Sequence, residues 1–396
     1  MPSVVLKPGH VQPVWSGHPW VYAQAVDRVE GGALAGEEVS VLDPRGNLLG
    51  RGFYSPRSAI PVRILVRDAT TVIGAEFIRD RLKRARDQRR ELGLPNEKTT
   101  GYRLVHSEGD RLPGLVVDIF DDVAVVQMTT IGMKRREALI IDSLCDLVKV
   151  KTVIDRTPET YSKSEGFDAG SGVIRGDDKL DRLCFRERDV LYEIPLTVAQ
   201  KTGFYFDQRP LRARVEQLSR GRRVLDTYSF VGSFAIAASR GGATQVMAVD
   251  ENALALEVAA RCALLNNVSE RIAWERGPAR DALVRAGNKG GYDLVIVDPP
   301  NLAPSTKATQ KGLAAYQKLA TVACPATRPG GLLVISACSA ALGLGALTRA
   351  IALGARDVGM VVTVLERMFQ GADHPVPAAF QEGLYLKSLI CRVDTR

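Results

Sequence analysis

Residues 224–234 read Val-Leu-Asp-Thr-Tyr-Ser-Phe-Val-Gly-Ser-Phe. An apolar strand ends in an acid, the chain turns, and a helix opens directly behind Gly232. Glycine there lets the backbone turn sharply and come close to a ligand at the helix N-terminus. Eighteen residues further on, Gln245-Val-Met-Ala-Val-Asp250 ends a second strand in a second acid. The alternation continues outward. A helix is expected over 253–266, a strand over 294–298, a helix over 310–323 and a strand over 332–336. Apolar strands alternating with helices predict a mostly parallel α/β sheet. Such sheets bind ligands beyond the carboxyl ends of their strands.

The chemistry-bearing residues of this half all fall at strand ends. Asp250 is placed to accept hydrogen bonds from two ribose hydroxyls. With Gly232 it points to a nucleoside-containing cofactor, although a tight turn with a helix cap carries the same residues. No Gly-x-Gly-x-x-Gly run is present, which disfavours nicotinamide and flavin dinucleotides. Asp298-Pro299-Pro300 follows the third strand. Two prolines cannot continue a strand, so the acid and its neighbouring carbonyls face the cleft. That placement is typical of methyltransferases that modify nucleobases, but Asn301-Leu302 stands where an exocyclic-amine enzyme carries an aromatic.

Ser336-Ala-Cys338-Ser339 ends the next strand. A thiol at that rim can add to C6 of a pyrimidine and turn C5 into a carbon nucleophile. Most cysteines are small core residues, and position alone distinguishes Cys338. Cys324, before Pro325 at a helix end, reads as structural. Residues 201–209, Lys-Thr-Gly-Phe-Tyr-Phe-Asp-Gln-Arg, mix aromatics, acid and base just before the sheet. They read either as ligand contacts, with Phe204 over the adenine or the sulfonium, or as packing in a linker.

The N-terminal half has a different texture. Short strands broken by Gly31-Gly32, by residues 43–47 and by Ser55-Pro56 predict a small β-barrel over the first 70 residues. A helix is expected over 75–92. Seven basic and two acidic residues lie between Arg79 and Arg90. Ile78, Leu82 and Ala85 recur at helical spacing, which buries one face and leaves the arginines outside. A hairpin over 114–128 and a helix over 133–148 follow. The net charge of +8 favours an anionic partner such as nucleic acid, and a basic enzyme with no polymer ligand has the same balance. No stretch approaches the ~20 apolar residues of a membrane span, and residues 1–9 lack a signal-peptide core. The six cysteines are scattered without a Cys-x-x-Cys pair, so neither a disulfide framework nor a zinc site is expected. A reducing cytoplasm fits this pattern.

Residues 201–209, 224–234, Asp298-Pro-Pro and Ala337-Cys-Ser339 together resemble the bacterial 23S ribosomal RNA 5-methylcytosine methyltransferases of the large subunit methyltransferase I type. Tyr102-Arg-Leu-Val, residues 110–118, Glu165-Gly166, residues 372–375 and residues 385–387 extend the likeness over the whole chain. The resemblance implies a PUA-like RNA-binding barrel at 1–72, a central α+β domain at 73–190 and a Rossmann-like class I methyltransferase domain at 191–396. It implies S-adenosylmethionine as cofactor, RNA (23S ribosomal RNA) as partner and no metal; a homodimer is kept open. Cys338 is then the nucleophile. Phe204, Asp207, Arg209, Tyr228, Ser229, Gly232, Asp250 and Pro299 line the cofactor, and Asp298 stands between cofactor and base. The chain departs from the family in the turn Ser229-Phe-Val-Gly-Ser233, which has Ser where a second Gly is usual, at Pro278, where an Asp contacts the adenine, and at Asn301-Leu302, where Lys-Phe is usual. Two other functions stay open: methylation of a guanine nitrogen, which needs no Cys, and RNA binding by a chain whose methyltransferase domain is inactive.

Overall fold

A computed structural model describes residues 1–170 and 172–396. The chain divides into two compact units. One comprises residues 1–189, 199–204 and 372–383, and the other residues 190–198, 205–371 and 384–396.

The first unit opens with a six-stranded sheet in the order Trp20–Val21, Val62–Val66, Leu48–Tyr54, Glu38–Leu42, Ser3–Leu6, Val26–Glu30. All its pairs are antiparallel except Ser3–Leu6 with Glu38–Leu42. Val4, Leu6, Val39, Val41, Val62 and Ile64 alternate inward and form its core. The chain behind Ser55-Pro56 enters its strand only at Val62, after Pro61, which lacks the N–H that a ladder needs.

The basic helix spans Ala75–Glu91 and buries Ile78, Leu82 and Ala85, as their spacing predicts. One arginine departs from the expected solvent face. Arg89 is fully buried and forms a two-pronged ion pair with Asp110, at 2.6 and 2.7 Å. Its remaining donors reach the Arg103 and Asp373 carbonyls. Helical periodicity treats every arginine as a solvent residue, and it cannot see a carboxylate supplied by another element.

A second sheet in this unit runs Gly172–Arg175, Thr152–Asp155, Val123–Met128, Leu115–Phe120, Gly101–His106. The predicted hairpin is present, with Phe120 opposite Val123 and Leu115 opposite Met128. The single helix expected over 133–148 is two, Ile131–Lys134 and Glu137–Val148. Between them the Arg136 guanidinium sits 3.5 Å above the Phe53 ring and donates to the Gly132 carbonyl.

The second unit is built on a seven-stranded sheet. Its order is Ile272–Arg276, Gln245–Asp250, Arg223–Thr227, Tyr292–Val297, Thr327–Cys338, Leu386–Thr395, Met360–Phe369. The first five strands are mutually parallel, and Leu386–Thr395 is antiparallel to both of its neighbours. The helices Ser233–Arg240, Ala253–Leu265, Ala279–Asn288, Thr309–Ala326 and Leu344–Asp357 fill the crossovers. Every strand and helix expected in this half is present within a few residues, apart from Thr327–Cys338, which begins five residues early. The edge strand Ile272–Arg276 was not expected; its inner residue Ile272 is buried, and its polar residues mask it as a strand. The C-terminal hairpin has arms Met360–Phe369 and Leu386–Thr395, and residues 372–375 lie in the connection between them.

Candidate active site

The strand Arg223–Thr227 is the first of the sheet and lies near its middle. Successive strands step to one side, and then the order reverses to Tyr292–Val297 on the other. That reversal opens a crevice at the carboxyl ends of the strands. Register places the site residues along it. Thr227 pairs with Val249 and with Val297, and Val297 pairs with Ile335. The next residue of two of these strands is an acid, Asp250 or Asp298, and Cys338 ends the fourth strand three residues on.

The turn after the first strand is held tightly. Tyr228, Phe230 and Gly232 all have positive φ, at 60°, 50° and 72°. Two of them are not glycine, a strained arrangement of the kind that clusters at functional sites. The Asp250 carboxylate locks the turn by accepting the Phe230 N–H at 2.8 Å and the Asn252 N–H at 2.9 Å. Gly232 is required for space as well as for its dihedral. A Cβ there would lie 2.6 Å from the Trp274 ring and 2.9 Å from the Ala259 Cβ. The close approach at Gly232 is therefore to the neighbouring strand and helix.

Asp226 lies beneath this turn, fully buried, with one oxygen accepting the Ala235 N–H at 3.0 Å. Its other oxygen, Oδ1, and the buried Ser229 hydroxyl have no hydrogen-bond partner among the described residues. Burial, with Asp298 and Asp250 nearby, pushes the Asp226 carboxyl well above the usual carboxylate range. Sequence reasoning named Asp226 only as the end of a strand; nothing in the local pattern marks its total burial.

The other side of the crevice is laced together by long-range hydrogen bonds. Gln208 donates through Nε2 to both oxygens of Asp298, each at 3.1 Å. Asp207 accepts the Tyr385 hydroxyl at 2.7 Å, and its carbonyl accepts the Gly371 N–H. Arg209 starts the helix Arg209–Leu218, with its guanidinium 5.5 Å from the Phe206 ring. Ser339 is a node. Its hydroxyl donates to the Ala303 carbonyl at 2.6 Å, its N–H to the Tyr385 carbonyl, and its carbonyl accepts Lys387 Nζ at 2.8 Å. These bonds tie together the chain behind three strand ends and set the position of Cys338. Gln208, Ser339 and Lys387 carried no separate role in the sequence reading.

Cys338 is half-buried at the end of its strand. Burial, together with the charges of Asp207, Asp298 and Cys338, pushes the Tyr205 phenol well above its ordinary range. Tyr316 is raised likewise, by burial and then by Asp298 and Cys338, and its hydroxyl donates to the Ser336 carbonyl. Two phenols are thus kept neutral beside the thiol. Cys324 and Cys391 are buried, and burial pushes both thiols up to about 12, so neither is a nucleophile at neutral pH.

Residues 4–67 match the PUA-like domain family, and residues 169–386 match the S-adenosylmethionine-dependent methyltransferase family. The chain is 34% identical, over 98% of its length and 98% of the other, to the ribosomal RNA large subunit methyltransferase I of Serratia proteamaculans. It is 32% identical to the protein of the same name from Yersinia pestis, over 98% and 99% of the two chains. This chain belongs to the large subunit methyltransferase I family. A solved chain described as an S-adenosylmethionine-dependent methyltransferase from Streptococcus mutans superposes with a TM-score of 0.84 at 17% identity, over 99% of this chain and 100% of that one. That likeness shows a shared fold.

The cofactor of this methyltransferase family member is S-adenosylmethionine, and the crevice suits it. Asp226 Oδ1 and the Ser229 hydroxyl are buried polar atoms awaiting a partner, and leaving such an atom unsatisfied costs about 1–3 kcal/mol. Asp250 uses two of its roughly four acceptor positions on backbone N–H groups, and the others stay open to hydroxyls. The departures from the large subunit methyltransferase I pattern have local structural roles. Ser233, directly behind Gly232, opens the helix Ser233–Arg240. Pro278 caps the helix Ala279–Asn288 and leaves no carboxylate there. Asn301 accepts the Ala303 N–H to form the turn behind the two prolines, of which Pro299 is buried, and Leu302 packs on the core. Phe204 belongs to the first unit, where its ring meets Phe185 edge-on at 5.0 Å and is buried like a core aromatic.

Proposed function

We propose that this methyltransferase forms 5-methylcytosine in large-subunit ribosomal RNA through a covalent bond between Cys338 and C6 of the target base. The observation that carries the reading is Cys338 at the end of Thr327–Cys338, in the row of strand ends that holds Asp250 and Asp298. The relatives' activity, written in their name, and the PUA-like match support RNA as substrate. In this reading residues 1–72 bind RNA, residues 73–190 connect, and residues 191–396 carry the reaction.

Asp250 holds the ribose, and Asp226, Tyr228, Ser229 and Gly232 form the cradle beside it. Asp207 and Arg209 close the far wall, and Asp298 and Pro299 line the boundary with the base. S-adenosylmethionine supplies the methyl group on a sulfonium. Cys338 attacks C6 as the thiolate, which gives C5 the electron pair that it needs as a nucleophile. Asp298, held from behind by Gln208, faces the exocyclic amine and ring nitrogen of the base. Loss of the C5 proton to a base then expels the thiolate and restores the ring. Mapping 5-methylcytosine in ribosomal RNA from cells with and without this chain tests the product. One cytosine of the large subunit RNA is expected to lose its methyl group, and an unchanged map overturns the assignment.

The ribose contact gives an independent prediction. Asp250→Ala is expected to weaken S-adenosylmethionine binding by about 1.5–3 kcal/mol, the range for hydrogen bonds to a charged group. Calorimetry on the purified chain measures it, and unchanged affinity places the ribose elsewhere.

A further inference from the structure

The first unit holds a cleft of about 730 Å³ that the methyltransferase chemistry does not use. Its walls are the end of the strand Val62–Val66 with the turn behind it, the helix Ala75–Glu91, the turn at 108–113 and the segment 375–379. Three guanidinium groups line it, those of Arg67, Arg81 and Arg111. None is paired with a carboxylate among the described residues. Arg67 donates to the Val14 and His18 carbonyls, at 2.6 and 3.1 Å, which fixes its direction without neutralising it. Arg81 is half-buried, 4.9 Å above the Phe77 ring, and burial and then the charges of Arg111 and Arg84 depress its pKa. Arg111 follows a turn with φ of 56° and is exposed.

The cleft also contains two carboxylates, and both are committed elsewhere. Asp68 accepts the N–H and hydroxyl groups of Thr70 and Thr71 within its own turn, and Glu108 accepts the Trp20 indole N–H at 2.7 Å. Three guanidinium groups against two carboxylates leave the lining with a positive balance that favours an anion, and the planar fork of arginine matches phosphate oxygens. The volume lies in the range of small-ligand sites, with room for a nucleotide.

Two further features favour a polymer over a free anion. Arg84 lies exposed three residues along the same helix, close enough for its charge to act on Arg81, and like Arg81 and Arg111 has no ion pair among the described residues. Charge therefore continues beyond the cleft, as a chain of phosphates requires. Trp15 is 74% exposed, two residues before Gly17, which lines the cleft. An exposed indole is a stacking platform for an unpaired base.

We propose that this cleft grips a phosphodiester of the substrate RNA through Arg67, Arg81 and Arg111, a proposal that rests on the reading of this chain as an RNA enzyme. The test uses the full chain and a fluorescent transcript of large-subunit ribosomal RNA, titrated at several salt concentrations. Arg81→Glu/Arg111→Glu is expected to lower affinity by roughly tenfold or more and to reduce the log–log salt slope by about one for each phosphate that is no longer neutralised. S-adenosylmethionine affinity is expected to stay at the wild-type value. Arg81→Lys, which keeps the charge, is expected to retain most of the binding, whereas a role in packing on Phe77 alone would not distinguish charge. If the double variant fails to fold, Arg111→Glu alone decides, because that side chain is exposed. A folded variant with wild-type affinity and slope overturns the cleft while leaving the RNA enzyme standing, provided the wild type binds and methylates the transcript. A wild type that neither binds nor methylates RNA overturns both.

Discussion

Incubated with S-adenosylmethionine and RNA carrying 5-fluorocytosine at the target, the wild-type chain is expected to form a covalent adduct that survives denaturation, and Cys338→Ala to form none. The target base must leave its stack to reach a crevice at the edge of a sheet. Once Cys338 has added to C6 and C5 has taken the methyl, release requires loss of the C5 proton. Fluorine at C5 leaves no proton to lose, so the chain stays attached. On ordinary RNA, Cys338→Ala is expected to lose methyl transfer by more than about a thousandfold, the order seen when a nucleophile is removed, and to keep its cofactor affinity. Cys324→Ala is expected to form the adduct like the wild type, since that thiol is buried and pushed up to about 12. Full activity in Cys338→Ala overturns the nucleophile and favours methylation of a guanine nitrogen, which needs no covalent step. Cofactor binding with no methylation of any RNA, in the wild type as well, points to an inactive methyltransferase domain on an RNA-binding chain.

Asp110→Ala is expected to destabilise the first unit by about 3–5 kcal/mol, the cost of leaving a buried charge without its partner. Arg89 has no exposed surface, and Asp110 meets it with both oxygens. Asp110 also accepts the His106 N–H. Arg103, whose carbonyl accepts from Arg89, pairs with Asp118, and the Asp373 carbonyl that receives Arg89 lies next to His374, whose ring is tilted 56° to that of His106 at 4.9 Å. Burial drives the His106 pKa well below its usual value, so that ring is neutral at pH 7. Hydrogen exchange resolved by peptide reads the effect where it belongs. Protection over 75–91 and 101–120 is expected to fall by orders of magnitude, and protection over the second unit's strands to stay. Wild-type protection in the first unit would show that Arg89 finds water or another acceptor.

The two halves of this molecule were unequally legible. Parallel strands buried on both faces are continuous apolar runs, so Gln245–Asp250 and Tyr292–Val297 stood out, and the acids and the thiol behind them were visible from position alone. The hairpin Leu115–Phe120 with Val123–Met128 was legible because its turn, Asp121-Asp122, is local. Strands that a sheet protects at its edge, such as Ile272–Arg276, carry polar residues and give no such run.

Local pattern therefore determined the α/β sheet, the crevice, and the candidates Asp250, Asp298 and Cys338. Tertiary structure alone decided how these groups are held and which charges are buried. Gln208 reaches Asp298 across 90 residues, Tyr385 reaches Asp207 across 178, and Arg89 reaches the Asp373 carbonyl across 284. An arginine on an amphipathic helix and a glutamine in a turn look the same in sequence whether they meet water or a carboxylate. The free energy that distinguishes those two fates, desolvation against pairing, exists only once distant segments have been brought together.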